Sequence, residues 1–186
     1  SDFIFKARLK VTPGLKAYID IGDENSLNAT GTGTIELFSS AAKGFTLGGN
    51  YTIQDGSFHF GVYNLVTRDF SIREGSTIRF NGDVMDTNLD VTGVYVTKAS
   101  LSNLLPSYSL SSGNNSGAAR RTVNCLINIT GKLVNPEVHF DIEVPDLSPV
   151  MQGQVETALN SEDKIQKQFV YLLIAGNFLP TEESRS

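Results

Sequence analysis

Tryptophan is absent from this chain, and there are one cysteine, two histidines and two methionines. Each scarcity excludes something. A lone Cys125 cannot form an internal disulfide, and no Cys/His cluster stands at the spacing that holds a metal. Cys125 alternates with Ile127 and Ile129, which reads as a small buried apolar residue with no base beside it to make a nucleophile. His59 and His139 sit next to Phe58, Phe60 and Phe140 but on the opposite face of their strands, as surface residues do. With no Trp and six Tyr, a sugar-stacking adhesin is poorly supported. No run of about 18 apolar residues and no signal-peptide pattern is present. The chain opens at Ser1-Asp2 directly on a strand pattern, as expected at a boundary inside a longer protein.

Clustered cations are missing from the linear sequence too. Fifteen Lys and Arg face 20 Asp and Glu, for a net charge of −5, and Arg120-Arg121 is the only adjacent basic pair. Phosphate recognition needs clustered basic residues, so nucleic acid is excluded as the main partner. Catalytic signatures are equally thin. Gly31-Thr32-Gly33-Thr34 lies inside a strand pattern rather than before a helix, so it is no phosphate loop. Asp83, Asp86 and Asp90 lack the regular spacing and terminal Glu of a calcium loop. Glu24, Asp55 and Glu74 fall in separate turns. No catalytic residue, metal ligand or cofactor is expected, and the chain reads as a non-enzyme.

What is present is alternation. Phe3, Phe5, Ala7, Leu9 and Val11 recur at every second position, then Pro13-Gly14 turns the chain. Leu15, Ala17, Ile19 and Ile21 follow, with a turn at Gly22-Asp23-Glu24-Asn25. From Leu27 to Leu37 the inward positions are Ala29, Gly31, Gly33, Ile35 and Leu37, and small residues at a strand centre mark a close backbone approach or a bend. Strands are expected at 45–53, 57–63 and 65–72, then in bursts at Ile78 and Phe80 and from Leu89 to Tyr95. Glu74-Gly75-Ser76 and Asn81-Gly82-Asp83 separate the bursts. Residues 97–105 fit a short strand or one helical turn equally. Strands return at 123–133 and 138–144. Turn signals every 8 to 12 residues without intervening helices argue for an all-β arrangement.

The period changes near the C-terminus. Ser148 is placed as an N-cap and Pro149 at the first helical position, with Val150, Val155, Ala158 and Leu159 on that helix. A second helix is expected from Ser161 to about Asn177, with an acidic first turn and one apolar face of Ile165, Phe169, Leu172, Leu173 and Ile174. The expected layout is a β domain over 1–148 with a mobile Ser/Gly/Asn loop at 107–119, a helical segment over 149–180 and a disordered tail over 181–186.

Two stretches carry a family resemblance. Phe70-Ser-Ile-Arg-Glu-Gly-Ser-Thr-Ile-Arg-Phe-Asn-Gly82 is followed by Leu89-Asp-Val-Thr-Gly-Val-Tyr95. Downstream comes Ile127-Asn-Ile-Thr-Gly-Lys-Leu-Val-Asn-Pro-Glu-Val-His-Phe140, before Val144-Pro-Asp-Leu-Ser148. In order and spacing they resemble the C-terminal domain of TamB-family proteins of the AsmA-like translocation and assembly module group. The polar 107–119 loop departs from that pattern.

The resemblance implies a mainly β fold: a curved, groove-forming, taco-like sheet of about ten to twelve short strands with two C-terminal helices. The groove would be lined by Phe58, Phe60, Phe70, Ile72, Ile78, Phe80, Leu89, Val91, Ile127, Ile129, Phe140 and Ile142, which in a closed fold would be ordinary core. It implies a periplasmic domain near the outer membrane of a Gram-negative bacterium, in a protein anchored in the inner membrane. The cargo would be phospholipid acyl chains, or alternatively nascent outer-membrane barrel strands assembled by β-strand pairing. The partner would be an Omp85-type barrel such as TamA. Phe169, Leu172, Leu173 and Phe178 would dock to that barrel or cap the groove, or else pack on the sheet.

Overall fold

The computed structural model describes residues 5–22, 24–105 and 119–181. The expected 107–119 loop and the 181–186 tail lie outside these residues, apart from Ala119 and Thr181. The described residues form a mainly β fold of nine strands followed by two helices. The strands are β1 (Phe5–Val11), β2 (Lys16–Gly22), β3 (Asn25–Ser40), β4 (Gly44–Val62), β5 (Val66–Ile72), β6 (Thr77–Gly82), β7 (Asn88–Ser100), β8 (Arg120–Lys132) and β9 (Glu137–Glu143). The helices are α1 (Pro149–Ala158) and α2 (Glu162–Ala175). Hydrogen-bonded neighbours run β1-β3-β4-β5-β7-β8-β9, while β2 also pairs β3 and β6 pairs both β4 and β7.

Fewer and longer strands arise than the turn signals suggest. The stretches expected at 45–53 and 57–63 merge into the single 19-residue β4, which ends at Val62. Asp55-Gly56 looks like a turn, yet the pairing passes from Thr30–Asp55 to Gly31–Ile53, so Gln54 is an extra residue in a bulge. A bulge bends the strand without ending it. The genuine turns use the residues expected. The Leu15 N–H bonds the Thr12 carbonyl at 3.1 Å across Pro13-Gly14, and Gly75 and Gly82 take φ of 91° and 109°. The undecided 97–105 stretch is both things: β7 runs to Ser100, then the Leu105 N–H closes one turn on the Leu101 carbonyl at 2.7 Å.

The chain divides into two compact units. Unit 1 comprises Ser1–Phe60, Asp69–Val94 and Ile127–His139; unit 2 comprises Gly61–Arg68, Tyr95–Leu126 and Phe140–Ser186. In unit 1 the register places alternate residues of neighbouring strands on one face: Leu37 opposite Leu47, Ile35 opposite Gly49, Gly33 opposite Tyr51 and Leu27 opposite Phe58. Among the described residues this unit contains no α-helix, only a 3-10 turn at Val84–Asp86 capped by Asp83. Ile53 and Phe70 are nevertheless fully buried.

The glycines of β3 and β4 allow close backbone approach. A Cβ on Gly31 would lie 2.1 Å from the Thr52 carbonyl oxygen, and one on Gly33 would lie 2.0 Å from that of Asn50. No side chain fits there. One buried polar residue also ties strands together. The Ser76 hydroxyl donates to the Arg73 carbonyl at 2.8 Å and accepts from the Thr92 N–H at 3.1 Å, while the Ser76 carbonyl accepts from the Ile53 N–H at 2.8 Å.

Unit 2 is covered by its helices. Ser148 caps α1 through the Met151 N–H, Pro149 opens it, and Ser161 caps α2 through the Lys164 N–H. Glu162 and Asp163 face the positive end of the α2 dipole, and Gly176 ends that helix at φ 73°. The Phe140 and Phe169 rings meet at 4.5 Å. Cys125 and Val123 are fully buried, and burial pushes the Cys125 thiol up to about 12. It is an inert packing residue.

Candidate functional site: the apolar face of the first unit

The candidate site grows from strand alternation. Every second residue of β4 from Leu47 to Ile53 faces one way, and after the Gln54 bulge the same face resumes at Gly56, Phe58 and Phe60. β6 adds Ile78 opposite Tyr51 and Phe80 opposite Gly49; β7 adds Leu89 opposite Ile78. Ile72 pairs with Gly93, which puts Phe70, Val91 and Gly93 on this face as well. Ring contacts confirm the gathering: Phe58 stacks on Phe60 at 5.9 Å, and Phe60 meets Phe70 edge-on at 6.0 Å. Gly93 is the gap between Phe70 and Ile127, since a Cβ there would sit 3.2 Å from the Phe70 Cβ and 2.9 Å from an Ile127 methyl.

Exposure along this face is graded. Phe58, Phe70, Ile72, Ile78, Val91 and Ile127 are buried, whereas Phe60, Phe80, Leu89 and Ile129 are half-buried. Ten of the twelve expected groove residues thus belong to unit 1. Phe140, half-buried against Phe169, and Ile142, buried, belong to unit 2. The four candidate docking residues are also in unit 2, where Phe169 and Leu172 are 1% exposed and Leu173 and Phe178 wholly covered. Gln168 holds this arrangement shut. Its amide donates to the Leu179 carbonyl and its carbonyl accepts the Leu179 N–H, both at 2.8 Å. The Asn103 amide adds a bond to the Phe178 carbonyl at 3.0 Å.

The face also extends where the site residues chosen from sequence stop. Toward the β3–β4 turn it continues through Ile35, Leu37 and Leu47, half-buried, to Leu9, Phe5 and Phe45, which are exposed. Alternation placed these residues on strands, but only the register shows that they share a face with Phe80. Tyr51 was missed for the same reason. It is buried in the row with a hydroxyl that has no hydrogen-bond partner, and burial raises its phenol above the usual value. The polar groups on the other face serve each other: His59 Nδ1 lies 2.6 Å from Asp69, and Lys132 lies 3.4 Å from Asp86. Among the described residues no three His, Cys, Asp or Glu side chains are grouped to hold a metal ion.

Compared with known families, the chain matches the TamB C-terminal domain over residues 1–186. It belongs to that family. Comparison with curated protein sequences returned no match. The TamB match takes in β1 to β4, beyond the two stretches whose spacing carried the resemblance. A TamB-family domain has a structural and transport role rather than a catalytic one, and its family is tied in general terms to the translocation and assembly module with its Omp85 component. Among the described residues no helix is long and apolar enough to cross a membrane.

Proposed function

We propose that this TamB-family domain shields hydrophobic cargo, phospholipid acyl chains foremost, on the apolar face of unit 1, in the periplasm of a Gram-negative bacterium near the outer membrane. One observation carries the reading. A continuous apolar face, with no α-helix of its own unit among the described residues, grades from buried Phe70 through half-buried Phe60, Phe80, Leu89 and Ile129 to exposed Phe5, Leu9 and Phe45. Carrying one methylene through water costs about 0.8 kcal/mol, so a chain of about sixteen carbons costs on the order of 12 kcal/mol. An apolar surface removes most of that cost without catalysis or a cofactor. Tails are then held without regard to their exact length or unsaturation, because no fixed polar group reads them.

The test is organic extraction and mass spectrometry of the purified domain beside Phe80→Glu and Ile129→Glu. Both positions are half-buried, so the carboxylate reaches water without unfolding the unit. Phospholipid carried by the wild type and lost from both folded variants supports shielding. Wild-type protein that carries none refutes it.

A second reading, assembly of outer-membrane barrel proteins by strand pairing with a client or an Omp85-type partner such as TamA, is favoured by β1. That strand ends the strand order and pairs only with β3 among the described residues. An open edge is a template for another strand. Proline substitutions along the outer edge of β1 would abolish such pairing and leave lipid content unchanged. Docking through Phe169, Leu172, Leu173 and Phe178 would require α2 to leave the strands and turns it covers.

A further inference from the structure

The cations that look scattered in the sequence gather in the fold. Alternation puts Lys6, Arg8 and Lys10 on the face of β1 opposite Leu9, and all three are exposed. Register extends this outer face sideways: Lys10 pairs with Thr34, Thr34 with Asn50 and Asn50 with Arg79. The Arg79 Nε donates to the Asn50 side-chain carbonyl at 3.2 Å, which fixes its guanidinium over the strands. Lys6 lies 5.7 Å from the centre of the Phe38 ring, and Lys43 stands in the β3–β4 turn. Within β1, β6 and residues 33–50 the charged side chains are these five cations and one anion, Glu36. Glu36 bonds Arg8 at 3.0 Å while Arg8 stays 75% exposed. This is a basic face on a chain of net charge −5, bounded on the β7 side by Asp90, which pairs with Thr77. Phe45, 74% exposed, and Phe5, 47%, lie on the opposite face, at the last rungs before the turn.

We propose that this outer face of unit 1 docks onto an anionic phospholipid bilayer, with Lys6, Lys10, Arg79 and Lys43 against the headgroup phosphates. The charge is complementary to an anionic leaflet. The surface goes beyond the shielding face, because the cations lie on the opposite side of the same strands. It brings the domain to a membrane, whatever the apolar face carries.

The experiment is cosedimentation of the chain with vesicles of phosphatidylethanolamine containing about a quarter phosphatidylglycerol, beside vesicles of phosphatidylcholine alone. The expected result is binding to the anionic vesicles that weakens as salt rises from about 0.05 to 0.5 M. Each cation removed should cost roughly fivefold, so Lys6→Gln, Lys10→Gln and Arg79→Gln together should cost on the order of a hundredfold. Lys98→Gln, Lys132→Gln and Lys164→Gln make the same change in net charge elsewhere and should bind nearly as the wild type does. Phe45→Ser changes the opposite face and should bind nearly as the wild type does. Equal loss in the two triple variants, no loss in either, equal binding to both vesicle types, or no binding to either would each overturn the proposal. Circular dichroism confirms that the variants are folded. Lipid extracted from the first triple variant keeps this question separate from shielding, because a failure of shielding leaves the purified wild type empty and vesicle binding intact.

Discussion

Gly33→Ala should cost far more than an alanine substitution ordinarily does. The new methyl would lie 2.0 Å from the Asn50 carbonyl oxygen, 2.9 Å from the Tyr51 Cα and 3.0 Å from the Asn50 carbonyl carbon. All three are backbone atoms of β4, so no side chain can rotate away. Relief requires β3 and β4 to part locally by about an ångström, which takes an N–H···O bond of about 2.9 Å beyond its useful range. Losing one or two ladder bonds removes about 0.5–1.5 kcal/mol each, and the groups left unpaired beside the buried row add about 1–3 kcal/mol. The expected loss is about 3–5 kcal/mol, a large share of the roughly 5–15 kcal/mol that holds a domain folded. Gly48→Ala in the same hairpin is the control. Its methyl would meet nothing closer than the Phe38 ring at 3.6 Å, and it should stay within about 0.5 kcal/mol of wild type. Urea unfolding measures the difference, and amide exchange in β3 and β4 assigns it to unit 1. If Gly33→Ala and Gly48→Ala unfold within about 0.5 kcal/mol of each other, close approach at Gly33 does not shape the sheet.

Three further outcomes follow from buried polar groups. Ser76→Ala strands the Thr92 N–H inside unit 1, while the Arg73 carbonyl keeps the Ser76 N–H at 3.2 Å, and should cost about 1–3 kcal/mol in urea, although it removes a single atom. Gln168→Ala should release the Leu179 backbone, read as faster exchange of the Leu179 amide with the amides of unit 1 unchanged. Cys125, raised from 9.0 to about 12, keeps in the fold a proton that the unfolded thiol releases above pH 9. The folded state therefore binds more protons, and stability should fall as pH rises from about 9 toward 12, by roughly 1.4 kcal/mol per unit. Cys125→Ala should flatten that slope; an unchanged slope would mean that other groups set it.

Much of the fold was legible because local chemistry and tertiary structure agree. Both helix caps, Ser148 and Ser161, lie where a hydroxyl precedes an amphipathic period, and the αL glycine Gly176 lies where that period ends. Strand alternation likewise named ten residues that share a face in unit 1. What alternation does not carry is register. Asp55-Gly56 has the composition of a turn, but β3 offers β4 a partner on both sides of it, so pairing overrides the local preference and a bulge results. Ser76 and Gln168 carry no periodic signal at all, because their roles depend on backbone groups 16 and 11 residues away. Lys6, Lys10 and Arg79 become neighbours only through two intervening strands.

The same limit governs the apolar row itself. Alternation says that Phe58, Phe70, Ile78 and Val91 point one way; it does not say what covers them. In a sandwich the answer is a second sheet and in an α+β domain a helix, each visible as further periodic sequence. Unit 1 has no α-helix among its described residues, and its strands belong to one curved sheet. Strands β3 and β4 approach closely at Gly31, Gly33 and Gly49, where a Cβ would fall 1.9 to 2.1 Å from a facing carbonyl oxygen. Those positions announce themselves in sequence only as missing side chains. What covers an apolar row is therefore not written in the row itself. That is why the half-buried rank of Phe60, Phe80, Leu89 and Ile129 had to be read from the structure.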